Sequence, residues 1–192
     1  AYKAFRQQYN DNPNPLDLYI LITHSFNYQL RFNSRHQYNN PFGKANSTFN
    51  AAMRNNLNLF LDRVKSIDID FVCNDFLYFD FSSITADDFI YCDPPYLIST
   101  GAYNDGKRGF KGWSESEEYQ LLAMLESFDK NGIRFALSNV LLHKGKTNHI
   151  LIDRIGRHNF KVAHLKKNYA ASSYHTSDRN KNGSDEVLIM NY

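Results

Sequence analysis

The residues of this chain best suited to chemistry are Asp93-Pro94-Pro95-Tyr96, directly after the apolar run Phe89-Ile90-Tyr91-Cys92. Two consecutive prolines stop a strand, fix the backbone and donate no hydrogen bond. The Asp93 side chain and the Pro94 carbonyl then form a rigid pair of acceptors, with the Tyr96 ring close by. An exocyclic NH2 group offers two donors to such a pair, and the flat ring that carries it can stack on Tyr96. In open α/β sheets ligands bind beyond the carboxyl ends of strands, where this segment would stand. Asp-Pro also starts ordinary turns. The apolar strand in front and the aromatic ring behind favour the chemical reading.

The elements that position this segment follow from periodicity. Asp88–Cys92 reads as a buried strand, and Ile69–Cys73 as a shorter one before it. Ser114 and Glu117 form a capping box that opens a helix running to about Lys130, where Asn131-Gly132 stops it. Ile133–Ser138 is the next strand, about 147–157 the next helix, 160–165 a further strand, and Glu186–Asn191 a closing one. This alternation predicts an α/β sheet with crossover connections over residues 67–192, most of a doubly wound domain. Residues 1–66 read as a separate region. It has a helix after Pro15, an irregular polar and aromatic loop or hairpin over Asn27–Lys44, and a helix over 47–65. In that last helix Met53, Leu57, Phe60, Leu61 and Val64 form the apolar stripe.

Composition narrows the classes. The chain has 192 residues, 22 Lys+Arg, 20 Asp+Glu and two cysteines. That suits one domain with an appended region and needs no disulfide scaffold. Cys73 and Cys92 lie in apolar stretches and read as buried, reduced thiols, which suits a cytoplasmic protein. No apolar run approaches the ~18 residues of a membrane span. The seven histidines show no paired ligand spacing, so no metal is expected. The net charge of +2 conceals a pattern: residues 1–66 carry +5, 67–132 carry −9 and 133–192 carry +6. Basic flanks around an acidic centre suit ends that touch a polyanion. Residues 1–60 are rich in Asn, Gln, Tyr and Arg, which hydrogen-bond base edges or stack on bases.

Ile90-Tyr91-Cys92-Asp93-Pro94-Pro95-Tyr96 resembles the catalytic motif of the amino-methyltransferases that act on DNA adenine, in the Asp form usual for N6 methylation. Further segments narrow the resemblance to the Dam-like, D12 class. Tyr2-Lys3-Ala4-Phe5-Arg6 and Tyr9-Asn10 resemble the opening of its target-recognition region. Leu30-Arg31-Phe32-Asn33 and Tyr38-Asn39-Asn40-Pro41-Phe42-Gly43-Lys44 resemble its DNA-reading hairpin. Phe71-Val72-Cys73-Asn74-Asp75-Phe76 resembles the motif before the catalytic strand, and Ser184–Tyr192 the closing segment.

The resemblance implies a Rossmann-like S-adenosylmethionine-dependent sheet over 67–192 and a small helical and hairpin recognition region over 1–66. Its partner would be double-stranded DNA, with no membrane and no metal; oligomeric state stays open. The target adenine would be flipped from the duplex. Asp93 and the Pro94 carbonyl would accept the amino hydrogens, Pro95 would fix geometry and Tyr96 would stack on the base. Asp75, Phe76 and Asp93 would border the cofactor. Arg31 would read a guanine edge, Phe26 and Asn27 would wedge into the duplex, and Asn33 and Pro41 would touch base edges or methyls. Lys44 would meet a phosphate or base, and Lys166, Lys167 and Arg179 would clamp phosphates. The implied target is GATC or a close relative, in a bacterial or phage setting that the sequence does not specify.

The family also places a Phe-x-Gly-x-Gly segment before its recognition region, and this sequence holds none. A fragment of a longer methylase, with an incomplete sheet, is therefore expected. Two other functions stay open: a DNA-binding module without transfer activity, and a methylase of RNA or of protein glutamine.

Overall fold

Tyr2, Phe5 and Tyr9 fall on one face of a helix, α1 (Tyr2–Asp11), which its polar composition hides from a sequence reading. The computed structural model describes residues 1–44, 47–99, 112–165 and 183–192. Two units make up the chain, Ala1–Asp75 and Phe76–Tyr192.

In the first unit, Asn14 caps α2 (Pro15–His24) by accepting the Asp17 N–H at 2.9 Å, and Pro15 takes the first helical position. Leu21 of α2, Tyr9 of α1 and Tyr38 form a buried cluster, with the Tyr9 and Tyr38 rings edge-on at 6.2 Å. Residues 25–44 form the irregular hairpin expected from the sequence, bridged at Ser25–Phe42 and Phe32–Tyr38. Asn10 anchors it to α1: its Nδ2 donates to the Tyr38 carbonyl at 3.1 Å and its Oδ1 accepts the Tyr38 N–H at 2.8 Å.

The third helix, α3 (Ala51–Ser66), starts at its cap Asn50, later than the predicted residue 47. Its apolar stripe has the expected period but is not an inner face. No residue of α3 is buried, and Phe60 is 57% exposed. The strand expected over Ile69–Cys73 is not formed, since no backbone among the described residues pairs with it, and Phe71 is 75% exposed. Cys73 is exposed as well, which corrects its reading as a buried thiol.

The second unit is a mixed α/β layer. Its strands are β1 (Phe89–Cys92), β2 (Arg134–His143), β3 (Lys146–Thr147), β4 (Lys161–His164) and β5 (Ser184–Met190), and its helices are α4 (Glu115–Lys130) and α5 (His149–His158). The sheet order is β1-β2-β5-β4, with β3 folded back on β2 as a hairpin. Among the described strands only β1 and β2 pair in parallel; β5 runs antiparallel to both β2 and β4 and separates them. The expected succession of crossovers is thus interrupted, because a strand's partner is set by distant residues rather than by its own pattern.

Leu121, Leu122, Leu125 and Phe128 of α4 and Leu151 of α5 pack on Phe135, Leu137, Val187 and Ile189 of the sheet. The predicted capping box is present: Glu117 accepts the Ser114 N–H at 2.9 Å, and Ser114 accepts the Ser116 N–H at 3.2 Å. At the other end of α4, Gly132 takes a left-handed φ of +72° and lets Ile133 return its N–H to the Phe128 carbonyl at 2.9 Å.

Beneath this layer, Glu118 in the first turn of α4 is fully buried. Its carboxylate accepts Trp113 Nε1 at 2.8 Å, Asn139 Nδ2 at 3.2 Å and Asn148 Nδ2 at 3.0 Å. Asn148 in turn caps α5 by accepting the Leu151 N–H at 3.1 Å. Replacing Glu118 by Ala strands these buried donors, and a loss of about 3 kcal/mol in unfolding free energy is expected. Urea denaturation monitored by Trp113 fluorescence measures it; a loss below about 1 kcal/mol would show that the network contributes little.

Candidate functional site

The ladder between β1 and β2 ends at the pair Cys92–Leu137, so Asp93 and Ser138 are the next residues on the two adjacent strands. Pro94 and Pro95 carry no N–H, and the chain leaves the sheet there while β2 continues to His143. Tyr96 turns back toward the strand ends. Its hydroxyl lies 2.8 Å from Ser138 Oγ and 3.5 Å from Asp93 Oδ1, and its carbonyl accepts the Ser99 N–H at 3.1 Å. The contact to Asp93 is at the long limit of a hydrogen bond, the one to Ser138 is short and strong. Asp93 and Pro95 face solvent, while Pro94 and Tyr96 are half-buried. An exposed carboxylate and a fixed aromatic ring therefore share one strand end, which suits a planar ligand with an amino group.

Cys92, one residue earlier, points the other way and packs against the core. Burial pushes its thiol up to about 11. Ser138 and Asn139 likewise diverge, as neighbours on a strand must. Asn139 faces α4 and Glu118, while Ser138 faces Tyr96. Neither Ser138 nor Glu118 stood out in the sequence. The available signal was a polar pair following the apolar Phe135-Ala136-Leu137 of a strand that runs beside Asp93.

A second group of candidates gathers in the hairpin of the first unit. Asn27 and Tyr28 both take left-handed backbone angles, φ +53°, and Phe26 beside them is 51% exposed. Two such residues in succession store roughly 1–3 kcal/mol each, a cost tolerated where the surroundings impose it. Here Asn40 imposes it: fully buried, it donates through Nδ2 to the carbonyls of Phe26 and Gln29, both at 3.0 Å. Across the hairpin, the Pro41 carbonyl accepts the Phe26 N–H at 2.8 Å and Gly43 donates to His24 at 3.0 Å. A Cβ at Gly43 would stand 2.6 Å from the Ser25 carbonyl oxygen and closer still to Ser47, so only glycine fits. Arg31 lies on the same hairpin, with its Nε buried and no acceptor within reach. Asn33 closes the tip, its Oδ1 accepting the Arg35 and Gln37 N–H groups at 2.9 and 3.0 Å. Lys44 is exposed, at φ +62°.

Asp75 closes the first unit and Phe76 opens the second, where its half-buried ring packs on Trp113 at 5.9 Å. Lys166, Lys167 and Arg179 lie outside the described residues. Among the described residues no three His, Cys, Asp or Glu side chains gather as metal ligands, and no helix is long and apolar enough to cross a membrane.

Comparison with known proteins bears on both groups. The model of the D12 class of N6 adenine-specific DNA methyltransferases matches residues 2–174, a stretch holding both the hairpin and the Asp93–Tyr96 segment. The chain belongs to this family. It is 52% identical over its whole length to the modification methylase StsI of Streptococcus sanguinis, and 48% identical to the type II methyltransferase M.FokI of Planomicrobium okeanokoites. It is 40% identical, over 84% of its length, to the modification methylase LlaI of Lactococcus lactis. The chain spans 29% of the length of each of the first two relatives and 26% of the third.

Within this D12-class chain the two thiols should differ sharply. At pH 8 exposed Cys73 should react promptly with an aromatic disulfide reagent, while Cys92, a half-buried thiol packed on the core and holding its proton, should react far more slowly until the protein unfolds or the pH nears its raised value of about 11. Stopped-flow counting of released thiolate tests this; two equally fast thiols would place Cys92 outside the core.

Proposed function

We propose that the chain is the recognition and transfer portion of a restriction–modification methyltransferase. It would move a methyl group from S-adenosylmethionine to N6 of an adenine flipped out of duplex DNA. The observation that carries this reading is the acceptor and aromatic ring held together at the end of β1, Asp93 beside Tyr96. On this reading the mixed sheet is part of a Rossmann-like methyltransferase sheet, and the protein acts in the cytoplasm, where its DNA is.

S-adenosylmethionine supplies an electrophilic methyl group carried on sulfur. The chain's own residues prepare the nucleophile. An adenine amino nitrogen shares its lone pair with the ring, so it must be held in a geometry that returns the pair to nitrogen. Asp93 and the Pro94 carbonyl accept its two hydrogens and do this, Pro95 fixes the backbone between them, and Tyr96 stacks on the base. No covalent enzyme intermediate is needed. Phe76, a ring already braced by Trp113, and the carboxylate of Asp75 fit an adenosine, one by stacking and the other by accepting ribose hydroxyls.

The hairpin fits the recognition role. Arg31 stands on this hairpin, and a guanine edge offers the O6 and N7 acceptors that a guanidinium pairs with. Phe26 and Asn27, raised on the strained turn, would wedge into the duplex, with Pro41 and Lys44 reaching base and phosphate from the opposite arm. Asn33 has its oxygen committed to the turn, leaving only Nδ2, shared with Gln37, for a base edge. Lys166, Lys167 and Arg179 would hold phosphates. The GATC target expected from the resemblance is not carried into this proposal, which extends to an adenine in duplex DNA and no further.

The test is methyl transfer by the full-length protein from labelled S-adenosylmethionine to unmethylated duplex DNA, digested to nucleosides. Label should appear in N6-methyladenine, and Asp93→Ala should lower the rate by at least about 100-fold while duplex affinity changes little. Arg31→Ala should instead weaken specific binding by about 10- to 100-fold, with a smaller effect on mixed-sequence DNA. Duplex binding without label in any base would leave a DNA-binding module; label in RNA or in protein glutamine would overturn the substrate class.

A further inference from the structure

We propose that Ser138 is a positioning residue for the transfer, acting through the hydroxyl of Tyr96; the inference rests on the methyltransferase reading above. Tyr96 stands on a segment that has left the sheet, beyond two prolines that cannot join a ladder. Ser138 stands on β2, where its backbone pairs with Leu188 of β5, and its neighbour Asn139 is held by buried Glu118. The 2.8 Å bond between the two hydroxyls therefore joins a ring on a segment outside the sheet to a strand paired on both sides.

Burial gives the bond its value. Ser138 is 8% exposed, so water is poorly placed to replace it if it is lost. The proton count also matters. A phenol has one proton and two lone pairs. When Ser138 donates to the Tyr96 oxygen, the phenol donates its own proton toward Asp93 Oδ1, 3.5 Å away. Oδ1 is then engaged from the protein side, and Oδ2 is the oxygen left for the amino group. Ser138 thus sets both the plane on which the base stacks and the carboxylate oxygen that meets it, without touching the base.

Thr and Val have nearly the same shape and differ in the hydroxyl, so they separate hydrogen bonding from packing. In the full-length protein, Ser138→Thr should keep kcat within about two-fold of the parent. Ser138→Val and Ser138→Ala should lower kcat by about five-fold, with KM for S-adenosylmethionine unchanged. A double-mutant cycle covers the case in which a branched side chain does not fit. Ser138→Ala should cost nothing further once Tyr96→Phe has removed the phenol. Equal activity of the Thr and Val variants, or an undiminished loss from Ser138→Ala in the Tyr96→Phe background, would overturn the proposal. Retained transfer by Asp93→Ala would instead remove the methyltransferase mechanism itself, whatever Ser138 does.

Discussion

The second unit depends on a buried carboxyl group that has no cationic partner among the described residues. Glu118 is buried at the start of α4, where the helix N-terminus favours negative charge, and its remaining stabilisation comes from three side-chain N–H groups. Those donors belong to the residue before the helix, to the middle of β2 and to the cap of α5. One side chain therefore fixes three elements whose apolar contacts alone would permit them to slide. A burial of this kind is costly unless every donor is in place, which makes the arrangement specific. Because Asn139 is one of the donors, the strand carrying Ser138 is pinned at the residue next to it.

Asparagine plays the corresponding part in much of the molecule. The sequence reading gave the Asn-rich first region a role in touching bases. The structure uses many of these amides on the protein's own backbone. Asn10 pairs with Tyr38, Asn40 clasps Phe26 and Gln29, and Asn14 and Asn50 cap helices. In the second unit Asn191 bonds Asp129, the Ile133 carbonyl and the Phe135 N–H. An amide has two donors and an acceptor with no net charge, so it can stand in for a missing strand where the chain is irregular. The hairpin can therefore present Phe26, Asn27 and Arg31 in a fixed shape although it contains almost no regular structure.

What was legible in the sequence was local. The Ser114–Glu117 box, the Asn131-Gly132 stop, the strand before Asp93 and the proline-led start of α2 each depend on residues a few positions apart, and each was found where expected, except that the strand is half exposed rather than buried, with Phe89 51% and Tyr91 59% exposed. Longer-range features were not legible. Val187 and Ile189 announce a buried strand but not that it lies between β2 and β4. Ile69–Cys73 has the composition of a strand, yet composition supplies no partner. The stripe along α3 has the right period but is left exposed. Of the candidate site, the acceptor and ring at Asp93 and Tyr96 could be read from one heptapeptide. Ser138 could not, since its role exists only once two strands lie side by side.

The position of β5 has a consequence for the order of folding. It follows every other described strand in sequence, yet it lies between β2 and β4. A chain emerging from the ribosome can pair β1 with β2 and fold α4 over them as soon as those residues are free. It cannot place β4, whose only described neighbour is β5, until some twenty residues later have been made. During that interval one edge of β2 offers unpaired backbone groups, and the newly synthesised protein is most open to mispairing with another copy. Closure of the sheet is thus a late event, decided by its shortest route to a missing centre rather than by growth at an edge.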